Sequence, residues 1–329
     1  NWLMIKILKA NEIESDWFDG RNFVETNDVV QNVINDVIQN GDGALFEYGK
    51  KFDVAAPDSL LIDEAELKAA AEKLKNEHPE IYDSIVYSHE LAYKFACKQR
   101  ESFDDFEVEL TPGMFTGQKT IPVERAGVYV PAGRFPLVST VVMTVTPAAA
   151  AGVDEIVMCT PPRVHPDDKA KAEAAGLGVP GKPFAGGKPY ADEGIMAAAY
   201  ICGCKKVYAC GGSQAIAGMA YGTESIPKVD KIFGPGNRYV TMAKQMVAAR
   251  NTAIDMPAGP SEVMVMADEN ANVKYVAADL LSQAEHGRDS QAIVVCNSEI
   301  FAQAVRTEVE RQAAQLSRGE YIAESLNNS

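Results

Sequence analysis

The stretch Lys206-Val-Tyr-Ala-Cys-Gly-Gly-Ser-Gln-Ala-Ile-Ala-Gly-Met-Ala-Tyr221 decides the fold. A short apolar run, a glycine pair and an alanine-rich segment predict a strand over 206–209, a tight turn, and a helix over 214–221. The unit recurs downstream of Gly127. Further strands are predicted at 127–130, 155–159, 231–233, 253–255, 263–267 and 292–296, and helices at 140–151, 193–202, 238–249, 273–286 and 300–316. Such alternation predicts a mainly parallel sheet covered on both faces, with ligands at the carboxyl ends of strands.

Upstream of this region the first ~110 residues read as a helical scaffold. Val29, Val30, Val33, Ile34 and Val37 repeat at helical spacing and close at Asn40-Gly41, a helix stop. Two more helices are predicted at 63–75, opened by acidic residues, and at 79–100. Between Gly176 and Pro189, eight of fourteen residues are Gly or Pro, which predicts a mobile surface loop without a regular element.

A chain of 329 residues with 47% apolar content can build two cores. Its 31 basic and 46 acidic residues give a net charge of -15, which repels nucleic acid and anionic lipid surfaces. A small anionic ligand stays open, because backbone N–H groups at a helix N-terminus bind phosphate without Lys or Arg. The six cysteines sit mostly in apolar runs and read as buried free thiols. With no leader pattern and no apolar stretch approaching ~18 residues, a soluble cytoplasmic protein is expected.

Three loops rich in small residues follow strands: Tyr129-Val-Pro-Ala-Gly133, Cys210-Gly-Gly-Ser-Gln214 and Phe233-Gly-Pro-Gly-Asn237. Such turns admit a ligand to the backbone, and equally serve as plain tight turns. Tyr129, Gln214 and Asn237 are their polar residues, able either to contact a base, ribose or carboxamide, or to cap helices and satisfy turn backbone. Further along, Gln283 and His286 lie three apart on a predicted helix, close enough to share one metal ion. His286 also precedes Gly287, where a cationic imidazole would complement a helix C-terminus. His78, His89 and His165 read as solvated or capping, and no serine sits in a nucleophile-elbow pattern.

The run from Ile254 to His286, Ile-Asp-Met-Pro-Ala-Gly-Pro-Ser-Glu262 through Leu280-Leu-Ser-Gln-Ala-Glu-His286, resembles the signature of the histidinol dehydrogenase family. Asn40-Gly-Asp-Gly-Ala-Leu45, Arg125-Ala-Gly-Val-Tyr-Val-Pro131, Pro136-Leu-Val-Ser-Thr140, Gly211-Gly-Ser-Gln-Ala-Ile216 and Gly234-Pro-Gly-Asn237 extend the resemblance over nearly the whole chain. It implies oxidation of L-histidinol to L-histidine through the aldehyde, with NAD and a zinc ion (Zn2+) as cofactors, in a homodimer. By the same resemblance Tyr129, Gln214 and Asn237 are NAD contacts, Ser261 is a substrate contact, and Gln283 and His286 are zinc and substrate ligands. Cysteine takes no covalent part.

The implied fold is α/β: two Rossmann-like domains with mainly parallel sheets and a helical N-terminal segment. Residues 1–124 with 255–329 would form one, discontinuous domain, and 125–254 the nucleotide-binding domain. Two departures stand out. The segment from Arg163 to Asp192 is longer than usual for the family. The family's Glu-His proton-transfer pair, and an Asp and second His that complete the zinc shell, have no counterpart up to Ser329. That expectation makes the 329-residue chain inactive as it stands. The alternatives are a related dehydrogenase of another small alcohol, or a non-catalytic nucleotide-binding subunit.

Overall fold

The computed structural model describes residues 5–13, 27–132, 135–250, 252–257, 262–287, 290–316 and 318–327. Two compact units form, one comprising Val24–Pro257 and the other Asn1–Phe23 with Ala258–Ser329. In chain order the elements of the first unit begin with α1 (Asn27–Asn40), α2 (Asp42–Phe52), β1 (Ala55–Ala56), β2 (Leu61–Ile62), α3 (Glu64–Glu77) and α4 (Pro79–Arg100). Next come β3 (Phe106–Thr111), β4 (Met114–Gln118), β5 (Arg125–Tyr129), α5 (Val138–Ala151), β6 (Glu155–Thr160) and α6 (Pro166–Ala174). The unit is completed by β7 (Phe184–Ala185), α7 (Glu193–Ile201), β8 (Lys206–Ala209), α8 (Gly212–Tyr221), β9 (Lys231–Phe233), α9 (Arg238–Ala248) and β10 (Ala253–Ile254).

The central sheet has the order β10-β9-β5-β6-β8-β2. All its pairings are parallel except that of β2 with β8. Taken in chain order, the five parallel strands therefore follow the doubly wound order 3-2-1-4-5. Their side chains alternate between two cores, as the two-residue period of a strand requires. Tyr129, Cys159 and Tyr208 enter one core with Val30, Val33, Ile34 and Val37 of α1 and with α2, α8 and α9. Val128, Met158 and Val207 enter the other, with α3, α5 and α7. Each fully buried Val or Ile contributes roughly 1.5–3 kcal/mol, so the α1 stripe alone anchors that helix firmly.

This packing differs from the grouping of residues 1–124 with 255–329. The helices α1 to α4 bury their stripes on the two faces of the central sheet, and β2 adds an edge strand to it, so residues 27–124 belong with 125–254. An amphipathic stripe shows that a helix is buried, and says nothing of the surface it meets.

The Gly/Pro-rich stretch also departs from expectation. A bridge links Val179 and Lys182, and β7 pairs in parallel with β1. Gly176, Gly178, Gly181, Gly186 and Gly187 all take positive φ, which only glycine adopts without strain, so the stretch is a chain of defined turns. The hairpin β3–β4 is absent from the sequence reading, which took the first ~110 residues as helical, although Phe106, Val108 and Leu110 alternate with Glu107 and Glu109 as a strand does.

In the second unit β11 (Glu262–Ala267) and β12 (Gln291–Cys296) pair in parallel, with α10 (Val273–Ala284), α11 (Glu299–Ala313) and α12 (Gly319–Asn327). Its core joins Val276, Ala277, Leu280 and Leu281 of α10 to Phe301, Val305 and Val309 of α11 and Ile322 of α12. Among the described residues no helix is long and apolar enough to cross a membrane.

Candidate functional site

Because β5, β8 and β9 run parallel in one sheet, the three loops that follow them emerge at the same edge. The chain reverses direction across the sheet between β5 and β9, and the crevice at such a point is where doubly wound proteins bind ligands. Gly234 has φ 118°, and a side chain there would overlap the Tyr129 carbonyl oxygen, so glycine lets the two loops touch. The contact is clamped. Lys244 of α9, 4% exposed, donates from Nζ to the Gly234 carbonyl at 2.7 Å and pairs with Asp255. Asp255 Oδ2 in turn accepts the Gly234 N–H at 2.8 Å.

Tyr129 is buried, and its hydroxyl accepts the Gly212 N–H at 3.1 Å. Burial pushes the Tyr129 phenol up, opposed by that N–H, so it is neutral at ordinary pH. It therefore braces the first turn of α8 from beneath. Gln214 is 2% exposed, and its amide folds back over Gly212, with Oε1 2.6 Å from where a Cβ on that glycine would lie. No described residue hydrogen-bonds the Gln214 amide. Its polar atoms are not among the buried side-chain atoms left without a partner, which among the described residues are Thr160 Oγ1, His165 Nε2 and Tyr221 OH, so the amide keeps contact with the surface and can take a ligand there. Asn237 caps α9, its Oδ1 accepting Tyr239 N–H at 3.0 Å and Val240 N–H at 3.1 Å. The cap occupies its oxygen and leaves its NH2 group to face outward.

Cys159 and Cys210 lie below these loops, and desolvation pushes both thiols up, so neither is a nucleophile. Burial likewise pushes Cys202 up to about 11 and Cys204 up to about 12. Of the histidines set aside earlier, His165 caps α6 through Nδ1, which accepts Asp167 N–H at 3.1 Å, but it is buried rather than solvated.

Two charged residues near the crevice went unread in the sequence. Asp53, at the C-terminal end of α2, is half-buried, and desolvation pushes its carboxyl up to about 7 while the Arg163 guanidinium pulls it down. Arg163, after β6, donates from Nη2 to the Ala132 carbonyl. Neither belongs to a motif; only the juxtaposition of distant segments singles them out.

In the second unit α10 ends at Ala284, two residues short of the predicted end, and His286 occupies the following turn. Its N–H donates to the Gln283 carbonyl at 3.1 Å, which keeps the two residues adjacent. Gln283 Nε2 donates to Ser290 Oγ at 3.4 Å, which leaves Oε1, the atom a metal would take, free of that bond. Ser290 is itself held by Ser325, whose Oγ donates to its carbonyl at 2.9 Å. His286 is exposed. Among the described residues no group of three or more His, Cys, Asp or Glu could hold a metal ion. The expected substrate contact Ser261 lies outside the described residues.

These features define a mainly parallel, doubly wound α/β protein whose three glycine-rich loops gather at the strand carboxyl ends. Comparison with known proteins narrows the class: the model of the histidinol dehydrogenase family matches residues 19–187 and 170–329, and the chain belongs to that family. It is 45% identical over 302 residues to a histidinol dehydrogenase of Bacteroides fragilis, covering 92% of this chain and 64% of the relative. A histidinol dehydrogenase of Escherichia coli is 41% identical over 315 residues, covering 94% and 65%. The crystal structure of histidinol dehydrogenase from Elizabethkingia anophelis superposes with a TM-score of 0.76 at 37% identity, covering 95% of this chain and 67% of that one. The chain thus spans about 64% of the length of the curated relatives it matches. The two family matches overlap within 170–187, part of the segment expected to be long.

Proposed function

We propose that this chain serves the NAD-dependent, zinc-assisted oxidation of L-histidinol to L-histidine through L-histidinal, the last step of histidine biosynthesis, in the cytoplasm. The observation that supports the cofactor assignment is the Gln214 amide, which no described residue hydrogen-bonds, at the first turn of α8 among glycine loops gathered at the carboxyl ends of the strands. The residues fit a dinucleotide: Gln214 and the Asn237 NH2 group hydrogen-bond it, and Tyr129 holds the α8 turn in place. Ser261, Gln283 and His286 take the substrate, and the last two also take zinc. When bound, the nicotinamide accepts hydride and the zinc orients the amino alcohol.

For the metal the fit is partial. Gln283 and His286 offer two donors, and zinc sites close at four, so no step is routed through the ion. Residues 1–329 bind and orient, and they hold no described acid–base pair matching the family's proton-transfer residues. The 329-residue polypeptide by itself therefore binds NAD without turning over histidinol. Calorimetry should detect NAD binding that falls about tenfold in Gln214→Ala, the loss of one good hydrogen bond. No NADH should form with histidinol. Absence of NAD binding overturns the cofactor reading, and sustained NADH formation overturns the division of labour.

A homodimer is part of the same proposal. Phe106, Val108, Leu110, Met114 and Phe115 of the β3–β4 hairpin are 44–64% exposed, more apolar surface than a free hairpin tolerates.

A further inference from the structure

In a doubly wound sheet the carboxyl end of the second strand lies beside the adenosine ribose of a bound dinucleotide. A carboxylate there receives the 2′-hydroxyl of NAD, whereas an arginine accommodates the 2′-phosphate of NADP. The second strand here is β6, and the residues after it are Pro161, Pro162 and Arg163. By its own sequence, then, this turn offers a cation and no acid.

The fold brings in an acid from elsewhere. Asp53 Oδ1 lies 3.1 Å from where a Cβ on Gly211 would sit, and Pro161 borders the same glycine, so the carboxylate stands between the β6 and β8 loops. Neither oxygen accepts a hydrogen bond from a described residue, and the Arg163 guanidinium acts on it only as a nearby charge while donating to the Ala132 carbonyl. The long segment after β6 braces this arrangement. Phe184 N–H donates to the Val54 carbonyl at 3.0 Å, β7 pairs with β1 immediately after Asp53, and Arg163 N–H donates to the Tyr190 carbonyl at 2.8 Å. A half-buried carboxylate, fixed from both sides and lacking donors, is suited to a ligand hydroxyl.

We propose that Asp53 receives the adenosine 2′-hydroxyl of a dinucleotide bound at the carboxyl ends of β5 and β6, and thereby selects NAD over NADP against the pull of Arg163. The inference rests on the cofactor crevice proposed above. At about pH 8, where Asp53 is ionised, a 2′-phosphate would meet its carboxylate, and the like charges exclude it.

Calorimetric titration of the 329-residue protein with NAD, with its adenosine 2′-deoxy analogue and with NADP separates the possibilities. The wild type should bind the 2′-deoxy analogue about tenfold more weakly than NAD, the loss of one hydrogen bond to a charged group, and NADP more weakly still. Asp53→Ala should lose the distinction between NAD and the 2′-deoxy analogue, while Asp53→Asn, which keeps an acceptor oxygen but not the charge, should narrow the gap to NADP because Arg163 is then unopposed; Arg163→Gln added to Asp53→Asn should remove the gain for NADP. Equal binding of NAD and the 2′-deoxy analogue by the wild type overturns the assignment without any variant. Binding of none of the three nucleotides overturns the crevice reading itself, and with it this inference.

Discussion

Replacing Asp53 with asparagine removes a carboxyl group that the native state holds largely away from water without a hydrogen-bond donor, and the effect on stability should depend on pH. Burial raises this carboxyl from 3.8 to about 7, with Arg163 opposing. A folded-state pKa above the unfolded value means that the native protein binds the proton more tightly, so native stability is greatest below the unfolded pKa and falls as pH rises toward 7. Between about pH 5 and pH 7 only the unfolded chain has released the proton, and at about 1.4 kcal/mol per pH unit the wild type loses roughly 3 kcal/mol. Asp53 is half-buried, and screening by water lowers this to about 1–2 kcal/mol. Asparagine cannot titrate and retains the N–H that Asp53 donates to the Gly49 carbonyl at 3.0 Å. The variant should therefore gain about 1–2 kcal/mol on the wild type over that range, with little change above about pH 8. Urea unfolding followed by circular dichroism at a series of pH values measures the difference. A difference that is constant with pH, or that shrinks as pH rises, refutes the account of the site.

Lys244→Met should destabilise the first unit by about 3–5 kcal/mol, since it leaves Asp255 and the Gly234 carbonyl without their buried cation. Asp255→Asn added to it should recover part of that loss in the same urea experiment, and strict additivity would show that the clamp is not a coupled pair. On the hairpin, Leu110→Glu with Phe115→Glu should convert a dimer to a monomer in sedimentation velocity with the helical circular dichroism unchanged; a wild type that sediments as a monomer removes the basis for the homodimer.

Local pattern carried much of this protein. The strands at 206–209 and 231–233 and the helix at 79–100 fall where the sequence places them, because each depends on periodicity within one segment. The parallel sheet, the shared edge of the three loops and the family signature were legible for the same reason. The short pairings of β1 with β7 and β2 with β8 were not, since two-residue strands exist only once a partner from more than 100 residues away is in place. Tyr129 and Asn237 stood out in the sequence as the polar residues of two glycine loops, but the burial of the one, the capping by the other and their backbone contacts emerged only from the fold.

What the sequence by itself determined is the alternation of strand and helix and the glycine loops after the strands, set by spacing along the chain. Tertiary structure alone decided that α1 to α4 belong to the central sheet, that Lys244 and Asp255 clamp Gly234, and that Asp53 stands beside Arg163 and Gly211. The physical reason is common to all three. Burial and charge act through space on whatever the fold brings together, and residues as far apart in sequence as Asp53 and Arg163 share no pattern until the sheet sets them side by side.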